Sequence, residues 1–310
     1  MGEREFDFSV LPDGCVSYIL SLTTPRDVCR SSVVSSMFKF AADSNIVWEK
    51  FLPSDYKEIV SGSVLAEDFE SKKELFFYLC EHPVIVDGGK MSFALDKSSG
   101  KKSYMLGARE LTIIWGDTPQ YWRWKNMLES RFEEVAELHN VCWLEISGKM
   151  DIHKLSPKTT YAAYFVLKLG EGAHGLDHPP AEVSIKFPGV GGSDGSGVRA
   201  VYLDPEYNQR RRHTQVAPHH RVGLLRRRFS HMLGPDLSGS RWEGQIPKDR
   251  GDGWLEIDMG EFFNDNGKEG EVQMTLTEVK GGHWKAGLIV QGIELRPKEI
   301  TATATATATA

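Results

Sequence analysis

The chain has 310 residues, 40% of them hydrophobic and 26% charged, with a formal net charge of −6. That is the balance of a soluble globular protein, long enough for two domains, because single cores stop growing near roughly 250–300 residues. The charge gives no global electrostatic reason to expect nucleic acid or an anionic membrane as partner, and no run of roughly 20 apolar residues could span a bilayer.

The first residues, Met1-Gly2-Glu3-Arg4-Glu5, lack an apolar stretch, so no secretory signal is expected. A helical pattern then opens at Leu11-Pro12-Asp13 and continues through Ile19-Leu20-Ser21-Leu22. Thr24 is a good N-cap, Pro25 suits the first helical position because its missing N–H would be unpaired there, and Asp27 can complete a capping box. The following helix places Val34, Met37, Phe38 and Ala41 three and four apart, one apolar stripe. Ser44-Asn45 precedes a short helix with Val47, Trp48 and Phe51, closed by Pro53. So small a unit would be marginal alone. Either a partner covers the stripe or the helices pack on their own chain. Residues 56–83 read as a connector with one further helix, in which Ser71 and Glu74 match a capping box and Leu75, Phe76 and Leu79 form the apolar face before Pro83.

From Val84 the period changes to two. Met91 to Leu95 and Lys102 to Leu106 predict a hairpin about Lys97-Ser98-Ser99-Gly100. Further strands are predicted at 111–115, 142–146, 161–169, 182–187, 198–203, 254–259, 272–279 and 288–295, while 131–138 fits helix or strand. Many antiparallel strands without alternating helices predict a β-sandwich, so the fold class is a small all-α module followed by an all-β antiparallel sandwich of jelly-roll type. Gly189 to Gly197 lacks the Gly-Lys-Ser/Thr ending of a phosphate loop. Arg210 to Arg228 holds seven arginines and no acid, which reads as a solvated loop, with nuclear import or anion binding as the alternative. The Thr-Ala repeat after Ile300 is low complexity. Cys15, Cys29, Cys80 and Cys142 stand far apart without a CxxC, which predicts buried free thiols in a reducing compartment.

The helical run, through Val47-Trp48-Glu49-Lys50-Phe51-Leu52-Pro53, resembles an F-box, placed at residues 5–55. The later segment Trp115-Gly116-Asp117-Thr118-Pro119-Gln120-Tyr121-Trp122-Arg123-Trp124 resembles the phloem protein 2 lectins of plants, the family of the tobacco lectin Nictaba. Glu134 to Leu138, Val141 to Ile146, Tyr161 to Tyr164, Asp252 to Ile257, Gly260 to Phe263 and Leu288 to Pro297 agree in order, so the resemblance spans residues 84–298, with a tail at 299–310. The combination implies a carbohydrate-binding receptor of a Skp–cullin–F-box ubiquitin ligase that recruits glycosylated proteins in the cytoplasm and nucleus. The F-box match implies contact with a Skp-type adaptor, and through it cullin, by Leu11, Pro12, Ile19, Leu22, Val28, Val34 and Trp48. The alternative is a sandwich that recognises a protein surface without sugar.

A pyranose offers an apolar C–H face to an aromatic ring and hydroxyls to fixed donors and acceptors. The family implies that Trp115 and Trp122 bind carbohydrate, on N-glycans or other glycans containing N-acetylglucosamine, and that Glu271 and Glu278 are the acidic contacts. Trp143 and Trp254, inside apolar strands, are expected in the core. Seven residues is an odd spacing, so an unbroken strand would point Glu271 and Glu278 to opposite faces; Glu271 is therefore expected in the loop before the strand. Glu256 and Asp258 share a strand face with Glu261 nearby, and a glycosidase would need two carboxyls about 5–9.5 Å apart. His283 is expected in a hairpin turn. With no Gly-x-Ser-x-Gly elbow or His-Glu-x-x-His site, no catalytic residue, metal or other cofactor is expected.

Overall fold

The computed structural model describes residues 11–63, 68–187, 197–205, 244–265 and 270–298. The glycine-rich run up to Ser196, the arginine-rich run at 210–228 and the tail at 299–310 lie outside the described residues.

Six short helices come first: α1 (Asp13–Ser21), α2 (Pro25–Ser31), α3 (Ser36–Ala42), α4 (Asn45–Phe51), α5 (Tyr56–Ser61) and α6 (Lys72–Glu81). Thr24 caps α2 as predicted, accepting from the Asp27 N–H while its hydroxyl donates to the Asp27 carboxylate at 2.7 Å. The predicted stripe is divided, because Ser35 accepts from the Phe38 N–H and restarts the helix there. Ala41 is buried and Met37 and Phe38 pack against the core, whereas Val34 is left outside in the turn. The connector holds two helices rather than one, α5 being the addition. Ser71 caps α6 through the Glu74 N–H, and the Lys72 N–H donates to Asn45 at 2.8 Å, tying α6 to α4.

The strands follow: β1 (Val84–Val86), β2 (Met91–Leu95), β3 (Lys102–Gly107), β4 (Thr112–Ile113), β5 (Trp122–Lys125), β6 (Val135–Leu138) and β7 (Leu144–Asp151). After them come β8 (Thr159–His174), β9 (Ala181–Lys186), β10 (Arg199–Val201), β11 (Lys248–Asp249), β12 (Leu255–Asn264), β13 (Glu271–Glu278) and β14 (Ala286–Pro297). They form two antiparallel sheets. One runs β1-β2-β3-β14-β8-β12-β11 with β6 and β5 attached beside β14; the other runs β10-β9-β13-β7-β4. The ambiguous segment resolves as a strand over its last four residues, and β5 is a strand that alternation did not signal. Buried residues alternate along β7 and β13, so each strand of the smaller sheet has one face in the core and one outside.

A single apolar cluster runs from Val16, Val28 and Trp48 through Phe76 into Phe93, Ile146 and Leu295, so helices and sandwich share one interior. Within the helices Trp48 of α4 packs on α6, its ring centroid 5.2 Å from Phe76 and 5.1 Å from Phe77. At the tip of the β2–β3 hairpin Gly100 adopts φ +69°, and a Cβ there would stand 2.8 Å from the Phe51 carbonyl oxygen. Only glycine lets the hairpin press against the end of α4. Lys102, nearly buried, pairs with Asp55 at 2.6 Å across the same joint.

A smaller cluster, including Met105, Phe132, Val166 and Trp254, covers the other face of the larger sheet. Trp254 is buried as predicted and donates its indole N–H to the Glu129 carbonyl. The cysteines correct the expectation of burial: Cys15 and Cys29 are exposed, Cys80 and Cys142 half-buried, and all four are free thiols. Burial pushes the Cys80 thiol up to about 12, so it stays protonated at neutral pH.

Candidate functional site

Two surfaces stand out. On the helices, α1 turns Val16 and Leu20 inward, and the helical period therefore leaves Tyr18, Ile19 and Leu22 exposed. Val33, Val34, Phe40 and Ile46 are exposed as well. Of the residues the F-box match implied, Pro12, Ile19, Leu22 and Val34 lie on this surface and Leu11 is half-buried. Val28 and Trp48 do not: both are fully buried, and the Trp48 indole N–H donates to the Ala42 carbonyl at 2.5 Å. They build the module from within. Tyr18, Val33, Phe40 and Ile46 were missed because exposure follows from where each short helix starts, and Ser35 moves that start for α3.

The second surface is one end of the sandwich. Trp115 is 44% exposed at φ +58°, in a turn closed by the Gly116 N–H on the Ile113 carbonyl and the Thr118 N–H on Trp115. Its ring lies 5.3 Å from that of Tyr121. Trp122 corrects the prediction of an exposed platform, being 2% exposed with its indole N–H on the Ile114 carbonyl. Two residues on, Trp124 donates to the Gly116 carbonyl, and the Arg109 guanidinium stacks 3.7 Å from its ring centroid. Trp122 and Trp124 thus brace the loop that presents Trp115. The reason is β5 itself, which puts both indoles on one face, against that loop.

The acidic pair is not brought together. Glu271 is not in a preceding loop; it is the first residue of β13 and Glu278 the last, in unbroken register with β7 from Asp151 to Leu144. They lie roughly 23 Å apart at strand rise and on opposite faces. Glu271 is exposed beside Lys149, 3.6 Å away. Glu278 is buried, paired with the Lys285 ammonium and accepting from the Gly281 N–H at 2.8 Å.

Trp143, expected in the core, is 45% exposed because it precedes β7, and its indole N–H donates to Glu145 at 3.0 Å. Trp284 was not singled out by any pattern and is 52% exposed. His283 does not sit in a hairpin turn, since β13 and β14 belong to different sheets; the segment crosses between them, and His283 Nε2 donates to the Gly175 carbonyl at 2.8 Å. Glu256, Asp258 and Glu261 do share one strand, and each meets a cation: Arg250 and Arg296, Arg199, and Lys298 respectively. Among the described residues no three His, Cys, Asp or Glu side chains are grouped to hold a metal ion, and no helix is long and apolar enough to cross a membrane.

A helical module with an uncovered aliphatic surface, carried on an all-β sandwich with aromatic side chains at one end, is the architecture of an F-box joined to a recognition domain. A family model of the F-box domain matches residues 8–50 and one of phloem protein 2 matches residues 101–297. The chain belongs to the phloem protein 2 family, in the branch that carries an F-box. It is 41% identical to F-box protein PP2-B1 of Arabidopsis thaliana, over 95% of this chain and 91% of the relative. F-box protein PP2-B10 of the same plant is 42% identical, over 94% of this chain and 95% of the relative. F-box protein VBF, also from Arabidopsis thaliana, is 43% identical over 93% and 99%. Among solved structures, TmCBM61 in complex with β-1,4-galactotriose overlaps 63% of this chain and 88% of its own at 11% identity, with a TM-score of 0.24.

Proposed function

We propose that this chain is a carbohydrate-binding substrate receptor of a Skp–cullin–F-box ubiquitin ligase, recruiting glycosylated proteins for ubiquitination in the cytoplasm and nucleus. The observation that carries this reading is the aliphatic set Ile19, Leu22 and Val34, exposed on a module whose interior Val28, Val47 and Trp48 already fill. Seven large apolar side chains exposed between residues 18 and 46 call for cover by another protein. A Skp-type adaptor with an apolar groove would supply it, and cullin would be reached through the adaptor. The sandwich end then holds a glycan of the client, with Trp115 as an aromatic face, while other subunits carry out the ubiquitin chemistry.

The test is co-purification with a Skp-type adaptor. Ile19→Asp/Leu22→Asp should abolish recovery without lowering the melting temperature, since both side chains are exposed. Undiminished recovery would refute the docking surface. A second reading, a sandwich that grips a protein surface without sugar, is favoured by the loss of Trp122 and Glu278 to the interior. An array of glycans containing N-acetylglucosamine separates the two, because only the first reading expects signal.

A further inference from the structure

Lys285 is 1% exposed, yet it is the hub of the sandwich end. Its ammonium donates to the carbonyls of Cys142, at 2.9 Å, and His283, at 3.0 Å, and pairs with Glu278. Two hydrogen bonds to carbonyls and one ion pair thus surround the buried ammonium, and the Glu278 carboxylate supplies its counter-charge. The two carbonyls belong to the residues immediately before Trp143 and Trp284. The backbones of Val141 and Lys285 also exchange hydrogen bonds of 2.8 and 3.0 Å, which sets Trp284 opposite Cys142 and next to Trp143.

Trp115 joins from the other neighbour of β7. The Ile113–Ile146 register continues through the Ile114 N–H on the Glu145 carbonyl and brings Trp115 opposite Leu144. Three exposed indoles are therefore carried by segments all hydrogen-bonded to residues 141–145. Their surroundings are polar. The outer face of the smaller sheet continues from Glu145 to Thr277 and Glu182, then to the row Thr112, Ser147, Thr275 and Ser184. Indole faces bordered by carboxylates and hydroxyls match the two halves of a pyranose, its C–H face and its hydroxyls.

We infer that the saccharide lies against Trp143 and Trp284 beside Trp115, and that Glu278 and Lys285 are positioning residues that hold these indoles rather than sugar contacts. The inference rests on the glycan reading above and changes which side chains perform it. Trp122 braces the loop, Glu278 is locked to Lys285, and the carboxylate at the Trp143 ring is Glu145, oriented by the indole N–H.

The experiment uses the full chain, first on an array of N-glycans and chito-oligosaccharides, then in fluorescence titration with chitotriose. Trp143→Ala and Trp284→Ala should each weaken binding roughly threefold to tenfold, the range of one aromatic contact, with the melting temperature unchanged. If the parent binds and both variants bind as tightly, the inference falls while the glycan reading stands. If the parent binds no saccharide on the array, the glycan reading itself fails and the inference with it. The lock has its own arm. Glu278→Gln leaves a buried ammonium without its counter-charge and should lose binding. Lys285→Met removes the donor that holds the Cys142 and His283 carbonyls and should lose binding as well, although a side chain at 1% exposure cannot itself reach the sugar. A carboxylate that touched the sugar would make Glu278→Gln lose binding while Lys285→Met keeps it, and that result overturns the positioning role.

Discussion

The two ends of this protein treat their large apolar side chains in opposite ways. The helices expose mostly aliphatic ones, Ile19, Leu22, Val33, Val34 and Ile46, within a few turns of each other, while keeping Trp48 at 0% exposure. The sandwich, among its described residues, exposes mostly aromatic ones, Trp115, Trp143, Phe263 and Trp284, with Leu128 and Val198 as the exposed aliphatics. An aliphatic patch gains from water exclusion by a broad partner, whereas an indole offers a flat face with a polar edge to a small, hydroxyl-rich one. The same chain is thus suited to two chemically different contacts. Tryptophan serves both ends, as the rivet where it is buried and as the proposed contact where it is not.

That division predicts the largest effects. Trp48→Ala and Trp122→Ala should each cost about 3–5 kcal/mol of folding stability, as for a truncated core aromatic. Urea or thermal unfolding would measure it. Trp115→Ala, by contrast, should stay within about 0.5 kcal/mol of the parent, as for a surface site. Equal melting temperatures for Trp115→Ala and Trp122→Ala would erase the distinction between brace and contact.

Among the described residues, the sandwich also buries a charge network of a kind absent from the helices. Glu294 is held by Arg131 at 2.6 Å and Arg250 at 2.8 Å, and the Arg296 guanidinium stacks 3.7 Å from the Tyr164 ring centroid beside it. Burial pushes the Glu294 carboxyl up, but the three arginines outweigh it and hold the group below the usual carboxylate range. A depressed folded pKa gives stability that is fully present above the unfolded carboxylate value and is lost as pH falls through the folded one. Glu294→Gln leaves buried guanidinium without its counter-charge and should cost about 3 kcal/mol at neutral pH. It should also flatten the acid limb of melting temperature against pH. An unchanged acid limb would mean that other carboxylates govern acid unfolding.

A smaller effect separates surface from interior on the helices. Leu22→Ala should leave stability within about 0.5 kcal/mol of the parent. It should still weaken adaptor binding by more than about 1 kcal/mol, if Leu22 lies at the centre of the contact. Isothermal titration against the adaptor beside a melting curve gives both numbers, and a stability loss without a binding loss would place Leu22 in the module's own packing.

Much of this was legible in the residues. The change to a period of two located β2, β3, β8, β9, β12, β13 and β14, with one face buried along β9 and β13 and both along β3, and caps at Thr24 and Ser71 placed two helix starts. What escaped was set by non-local partners. Trp122 and Trp143 are both tryptophans beside apolar residues, and only the sheet decides which is covered: β5 turns Trp122 against residues 114–116, while Trp143 falls one residue before β7. The odd spacing of Glu271 and Glu278 did predict opposite faces. A loop before the strand would let them pair, but β13 is unbroken from Glu271 to Glu278, and one carboxylate is structural. Val28 and Trp48 failed as adaptor contacts for a similar reason, since a motif's apolar positions include those that build it as well as those that dock it.

The smallest predicted effect compares two caps within the helical module. Thr24 accepts from the Asp27 N–H, whereas Ser44, in the equivalent place before α4, makes no side-chain cap bond. Thr24→Ala should therefore cost about 1 kcal/mol, the usual worth of an N-cap, since an amide at the start of α2 loses its acceptor. Asp27, whose carboxylate accepts from the Thr24 hydroxyl, loses a second bond in the same variant. Ser44→Ala removes no such bond and should change stability by no more than a few tenths of a kcal/mol, leaving α4 held by Trp48 and by the bond between Asn45 and Lys72. Thermal melts of the two variants side by side read the difference. Equal losses would mean that helix-start propensity matters here and cap geometry does not.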